Sequence, residues 1–297
     1  MQKKINLILL VNLGSPDKLT TKDIRNFLRK FLSDKRVVNL PKILWYPILY
    51  FIILSFRPKK LIHKYRQIWL NDASPLAYYT KCQANKLRQA IGDDNTIIEY
   101  AFMYSNPDIV SVLKQIEKNV VIATLKIISL YPQYSSTTIA PVFDVIASYY
   151  ANKKYIPSLK VLNSFYNHEK YISAIAATIM ESRKHYTSDK LIFSYHSIPQ
   201  NLITAGDTYY AECMETTYLI ANKINLKPSE YMVSFQSKFG SQKWLTPATT
   251  VVIKQLALAG VKNIDVVCPG FVADCLETLE EINIMNREIF INNGGES

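Results

Sequence analysis

A histidine closes an apolar run in LIFSYHSIPQ, residues 191–200. Leu191, Ile192 and Phe193 read as a buried strand, and His196 falls where that strand gives way to Ser-Ile-Pro. An arbitrary histidine is most often a satisfied core residue. One at a strand end is placed to accept a proton or bind a metal as neutral imidazole. A second constellation is acidic. At about 3.6 residues per turn, Glu277, Glu281 and Glu288 share one face of a final helix, with Glu280 on an adjacent side. A solvated acidic face is the ordinary reading of such spacing. Glu277, however, follows CPGFVADCL directly and opens its helix, where the macrodipole favours a carboxylate. A carboxylate ladder leading inward from solvent is a route for a divalent cation or for protons.

Both constellations need a scaffold that presents strand ends. Apolar runs at 5–13, 96–103, 120–130, 158–165, 190–196 and 230–240, and in NIDVV, alternate with helical patterns. The helices are expected at 20–32, from Asp108 as a cap, at 137–152, up to Arg183, at 207–225, at 246–259 with Pro247 near the first turn, and at the C-terminal end. Near-continuous apolar strands separated by helices imply parallel sheets covered on both faces. The fold class is therefore α/β, with two Rossmann-like domains: 1–155, and 156–297 carrying the final acidic helix. Ligands of open α/β sheets lie outside the carboxyl ends of the strands. Those ends here are LGSPD, MYSNP, YPQYSST, SYHSIP, SFQSKFG and CPGFVADCLETLEE.

Composition narrows the function classes. The chain has 297 residues, 48% hydrophobic and 20% charged, enough to build real cores. It holds eight glycines and neither GxxxxGK[ST] nor GxGxxG, which argues against a phosphate cradle. The formal charge is +11, but the basic residues are dispersed and no run of five occurs. That pattern argues against nucleic acid and for an anionic ligand or membrane surface. The four cysteines, Cys82, Cys213, Cys268 and Cys275, form no CxxC pair and no zinc spacing, so a reduced cytosolic compartment is expected. The apolar start is interrupted by Asn6 and Asn12 and no A-x-A-like site follows, so it reads as a first strand rather than a leader.

One segment departs from the alternation. Residues 43–56, ILWYPILYFIILSF, are almost free of polar groups and are flanked by Lys42, Arg57, Lys59 and Lys60. The stretch is too short to span a bilayer and contains Pro47. It is either a buried helix or an apolar lip that touches membrane or a flat ligand, with its basic flanks near anionic headgroups.

Taken in order, LVNLGSPD, YPQYSSTT, FSYHSIP, SFQSKFG, WLTP and ADCLETLEE resemble ferrochelatase, the enzyme that inserts ferrous iron into a porphyrin. The resemblance runs from about Leu10 to Phe290. It implies a porphyrin cleft between the two Rossmann-like domains. By motif position His196 resembles the family's essential histidine, Glu277 its glutamate across the cleft, and Glu281 the next acidic residue of the metal path. Arg57 in FRPKK, Tyr65 in HKYRQIW and Ser74 in ASPL match residues that line the pocket or hold propionates. Tyr131 and Trp244 match further pocket residues, and Leu13 takes a variable position beneath the macrocycle. Iron is then a substrate, and the four scattered cysteines are expected to pack rather than hold an iron–sulfur cluster.

The sequence departs from the family's pattern in three places. Met103 stands where many members have arginine, Met285 where many bacterial members continue the ladder with glutamate, and the chain ends at NNGGES, short of a usual final strand and helix. These departures keep a tetrapyrrole carrier or degenerate chelatase in view, beside two independent alternatives: a coproporphyrin-using ferrochelatase, and a cobalt or nickel chelatase acting on a related tetrapyrrole. The sequence carries no signal of oligomeric state.

Overall fold

The computed structural model describes residues 3–184, 188–240 and 242–296. The chain folds as two compact units, residues 1–131 with 136–163 and residues 132–135 with 164–297.

The first unit contains β1 (Lys4–Asn12), α1 (Thr21–Leu32), α2 (Lys42–Pro47), a π-helical segment (Ile48–Ile53), α3 (Leu54–Ile68), α4 (Pro75–Ile91), β2 (Thr96–Phe102), α5 (Ile109–Glu117), β3 (Val121–Ser129), α6 (Ile139–Tyr150) and β4 (Ser158–Leu162). Its strands are parallel in the order β2-β1-β3-β4. Alternation along β1 explains the layering. Ile5, Leu7, Leu9 and Val11 pack with Val112 and Leu113 of α5 and Val142 and Ile146 of α6. Ile8 and Leu10 face the opposite way, onto Ala84 of α4 and Ile98. Gly14 ends this strand with φ +95°, and a Cβ there would stand 2.3 Å from Ser105 Oγ. Only glycine meets both the left-handed turn and that close approach.

The second unit contains α7 (Glu169–Arg183), β5 (Lys190–His196), α8 (Gln200–Thr204), α9 (Tyr209–Lys223), β6 (Tyr231–Gln236), α10 (Thr249–Leu258), β7 (Ile264–Val267), a second π-helix (Leu276–Asn286) and α11 (Arg287–Asn292). Its parallel order is β6-β5-β7. Each sheet thus sets its second strand, then its first, then its third side by side. Leu191, Phe193 and Tyr195 of β5 pack with Ile172 and Ile179 of α7 and Cys213 and Ile220 of α9. Ile192 turns to Val252, Ile253 and Ala257 of α10 and Phe290 of α11.

Three expectations are corrected. The 155/156 boundary moves, because β4 pairs with β3 from Thr124↔Ser158 to Ile128↔Leu162 and so closes the first sheet. Pro247 lies before α10 rather than in its first turn. Its carbonyl accepts from Phe235 N at 2.9 Å, and the bridge Phe235↔Ala248 holds this stretch extended beside β6. The final helix is π-helical over Leu276–Asn286, so a ladder drawn with α-helical spacing does not hold. Glu280 is buried there and Glu288 exposed.

Residues 43–56 are not a buried helix. Pro47 lacks an N–H for the helical ladder, and the π-helical segment follows it immediately. Trp45, Leu49 and Leu54 are buried, and Trp45 Nε1 donates to Leu32 O at 2.7 Å. The other side is bare: Ile43 is 87% exposed, Phe51 77%, Phe56 65% and Ile52 56%. No helix among the described residues is long and apolar enough to cross a membrane.

Candidate active site

The carboxyl ends of β5 and β6 meet in register, His196 opposite Gln236. His196 is half-buried, and its Nδ1 lies 2.6 Å from Ser197 O. A carbonyl oxygen can only accept, so Nδ1 carries the proton and Nε2 keeps its lone pair. In the neutral ring Nε2 is therefore the nitrogen open to a proton or a metal.

The second π-helix starts at Leu276 with Cys275 as its cap, and it brings Glu277 and Glu281 to the same unit as His196. The expectation set Glu277 on the opposite side of a cleft from His196; both belong to the second unit. The main-chain oxygen of Glu277 accepts from Gln236 Nε2 at 2.9 Å. Glu281 accepts from Ser237 N at 2.8 Å and also from the Ser237 hydroxyl. Ser237 takes a left-handed φ of 65°, unusual for a residue with a side chain, and the two bonds to Glu281 accompany it. Burial raises the Glu281 carboxyl above the usual carboxylate range. The Ser237 bonds pull it down, the Glu277 charge adds to the rise, and His196 offsets part of it. His196 and Glu277 thus both act on Glu281, in opposite directions. A carboxyl so raised exchanges protons closer to neutrality than a solvated one.

The loop after β3 also folds with this unit. Tyr134 N donates to Glu212 at 2.7 Å, Gln133 Nε2 to Thr216 at 3.0 Å, and Ser135 Oγ to Asp207 at 3.1 Å. Burial is the chief cause raising Glu212 above its ordinary value. Trp244 bridges Pro199, and its buried indole N–H has no acceptor among the described residues.

The remaining expected residues lie in the first unit. Leu13 follows β1, with its N–H on Asn12 Oδ1 at 2.8 Å and its carbonyl on Tyr104 N at 3.1 Å. Arg57 is half-buried on α3. Tyr65 is buried edge-on to Trp69, ring centroids 6.0 Å apart. Tyr131 follows β3, and its hydroxyl is buried. Ser74 starts α4. It is 2% exposed, caps α4 through Ala77 N at 3.2 Å, and meets Ser15 Oγ at 2.5 Å. Met103 packs against the first unit's core.

Burial pushes the Cys268 thiol up to about 12 and lifts Cys213 and Cys275 well above their ordinary value. Among the described residues no three His, Cys, Asp or Glu side chains gather as a metal site. Sequence reasoning passed over Gln236 and Ser237 as individuals; the available signal was a polar Gln-Ser pair directly after the apolar strand in SFQSKFG.

A family model described as ferrochelatase matches residues 6–297. The ferrochelatase of Pseudoalteromonas atlantica is 41% identical over 294 residues, covering 97% of this chain and 81% of its own. That of a Polaromonas species is 43% identical over 292 residues, covering 97% and 79%. Ferrochelatase 1 of Shewanella oneidensis is 42% identical over 294 residues, covering 98% and 88%. With strand-end histidine, acidic π-helix and near-complete coverage in agreement, the chain belongs to the ferrochelatase family.

Proposed function

We propose that the protein inserts ferrous iron into protoporphyrin IX, with His196 and Glu277 handling the two protons that leave the pyrrole nitrogens. One Fe²⁺ and one porphyrin bearing two N–H groups give one heme and two protons, and the iron stays ferrous. The observation that carries the reading is the fixed tautomer of His196, which leaves Nε2 as a base beside a carboxyl, Glu281, that senses both His196 and Glu277. His196, Glu277 and Glu281 offer the nitrogen and oxygen ligands through which a partly dehydrated cation can approach. A site complementary to a bent macrocycle exposes the nitrogen lone pairs and lowers the barrier.

On this reading Arg57 pairs with a propionate, and Leu13, Tyr65, Tyr131 and Trp244 supply the aromatic and apolar contacts that a flat macrocycle needs. The indole N–H of Trp244 is a donor that a ligand oxygen would satisfy. Ser74, which caps α4, is on this reading a further porphyrin contact. Iron passes through as substrate, and the cysteines serve packing. Zn²⁺ offered with a porphyrin tests the reaction. Appearance of the zinc–porphyrin emission is expected; bound porphyrin without that change overturns insertion and favours a carrier.

We further propose that the protein works in the cytoplasm and touches membrane peripherally through the exposed apolar face of residues 43–56. Lys42, Lys59 and Lys60 beside that face suit anionic headgroups. Ile52→Asp places a charge on that face at a position that is 56% exposed, so the fold should tolerate it. In flotation with vesicles containing anionic lipid, the wild type should rise with the vesicles and the variant should stay behind. A wild type that does not float removes membrane contact from the account.

A further inference from the structure

We propose that Gln236 is the positioning residue that sets Glu277 against His196; the inference rests on the roles given above to those two residues. Gln236 ends β6, pairs with His196 and is 2% exposed. Its main-chain carbonyl accepts from Ser197 N at 2.7 Å, and the Ser197 carbonyl in turn holds His196 Nδ1. Its side-chain Nε2 donates to the Glu277 carbonyl at 2.9 Å. Its Oε1 accepts from Ser194 Oγ at 2.5 Å and from the Cys268 thiol at 3.7 Å. One residue therefore ties together the end of β5, the loop after β7 and the start of the π-helix.

Hydroxyl chemistry fixes the direction of this network. The amide nitrogen is committed to a carbonyl, so the amide oxygen faces Ser194, which must donate its single proton. Ser194 then accepts from Thr249, 2.8 Å away, and Thr249 from Ser234, 2.9 Å away. Ser194, Ser234, Gln236 and Thr249 are all buried. A buried network with every member satisfied is rigid, and reversing one link strands a polar group. Rigidity here is used at Glu277, whose main chain cannot shift from the end of β6 without losing the Gln236 bond.

Gln236→Glu keeps the shape but cannot donate to the Glu277 carbonyl while ionised; protonated, it can. In the full-length protein, with folding checked by circular dichroism, kcat should fall about tenfold or more while porphyrin KM changes little. A generally weakened fold would not separate kcat from KM in this way. Ser194→Ala removes the donor to Oε1 without touching Glu277 and should lower kcat in the same direction by less. Should Gln236→Glu not fold, Ser194→Ala decides. His196→Ala is measured in parallel. If His196→Ala is inactive while the folded Gln236→Glu variant, or Ser194→Ala in its place, keeps wild-type kcat, the positioning role is overturned and the site reading stands. If His196→Ala retains insertion, the site reading itself fails.

Discussion

His196→Ala should retain the fold and lose metal insertion, with kcat lower by about 10²–10⁴-fold. The fold should survive because His196 is half-buried at the last position of β5, and its side chain bonds the neighbouring Ser197 O rather than a distant element. Losing such a bond costs about 1 kcal/mol. The pairing of β5 with β6 runs from Leu191↔Tyr231 onward and does not depend on the imidazole. The chemistry should not survive, because the Ser197 carbonyl holds the Nδ1 side of the ring and leaves Nε2 as the nitrogen that can take a pyrrole proton. An alanine there leaves carboxylates alone to take both protons. Insertion rates close to wild type in a folded variant would remove His196 from the reaction. Porphyrin affinity, read by fluorescence quenching, should change far less than kcat, since the lost interaction serves the chemical step.

Glu277→Gln is the second large effect. The Gln236 bond goes to the main-chain oxygen of Glu277, so this substitution leaves the anchoring intact and removes only the charge. The expected loss in kcat is about 10²-fold or more. The pH profile carries a further signature. The Glu277 charge raises the Glu281 carboxyl, so its removal should lower Glu281 towards the ordinary range, though burial, the larger cause, remains. If turnover needs Glu281 ionised, residual activity falls as pH drops through its titration. That acid limb should then lie at lower pH in Glu277→Gln than in the wild type. An unmoved limb would mean that Glu281 is not the group titrating there.

Much of the scaffold was legible because its signals are local. The apolar run INLILLVNL gave β1 to within a residue at each end, and Asp108 caps α5 as its spacing implied, accepting from Ser111 N at 2.9 Å. The strand-end position of His196 was equally visible. What could not be read depends on contacts distant in sequence. The π-helix departs from α-helical spacing where Asn286 Nδ2 bonds Glu281 O at 2.8 Å and Gln236 bonds Glu277, contacts that residue pattern does not encode. The ladder consequently loses Glu288 to solvent. Gln236 was hidden for a related reason: its partnership with His196 follows from the register of two strands far apart in the chain. The lip was visible as composition, but its buried side was decided by Trp45 reaching the carbonyl of Leu32. Ser74 matched a binding motif, yet its position before Pro75 makes it first of all a helix cap.

On the proposed function this chain converts a free porphyrin and ferrous iron into heme. The most direct test is an anaerobic assay in which Fe²⁺ is offered with protoporphyrin and, separately, with coproporphyrin, following the loss of porphyrin fluorescence and the rise of heme absorbance. Enzyme-dependent heme formation is expected with protoporphyrin at a higher kcat/KM than with coproporphyrin, abolished in His196→Ala. Tight porphyrin binding with no heme formed would contradict it.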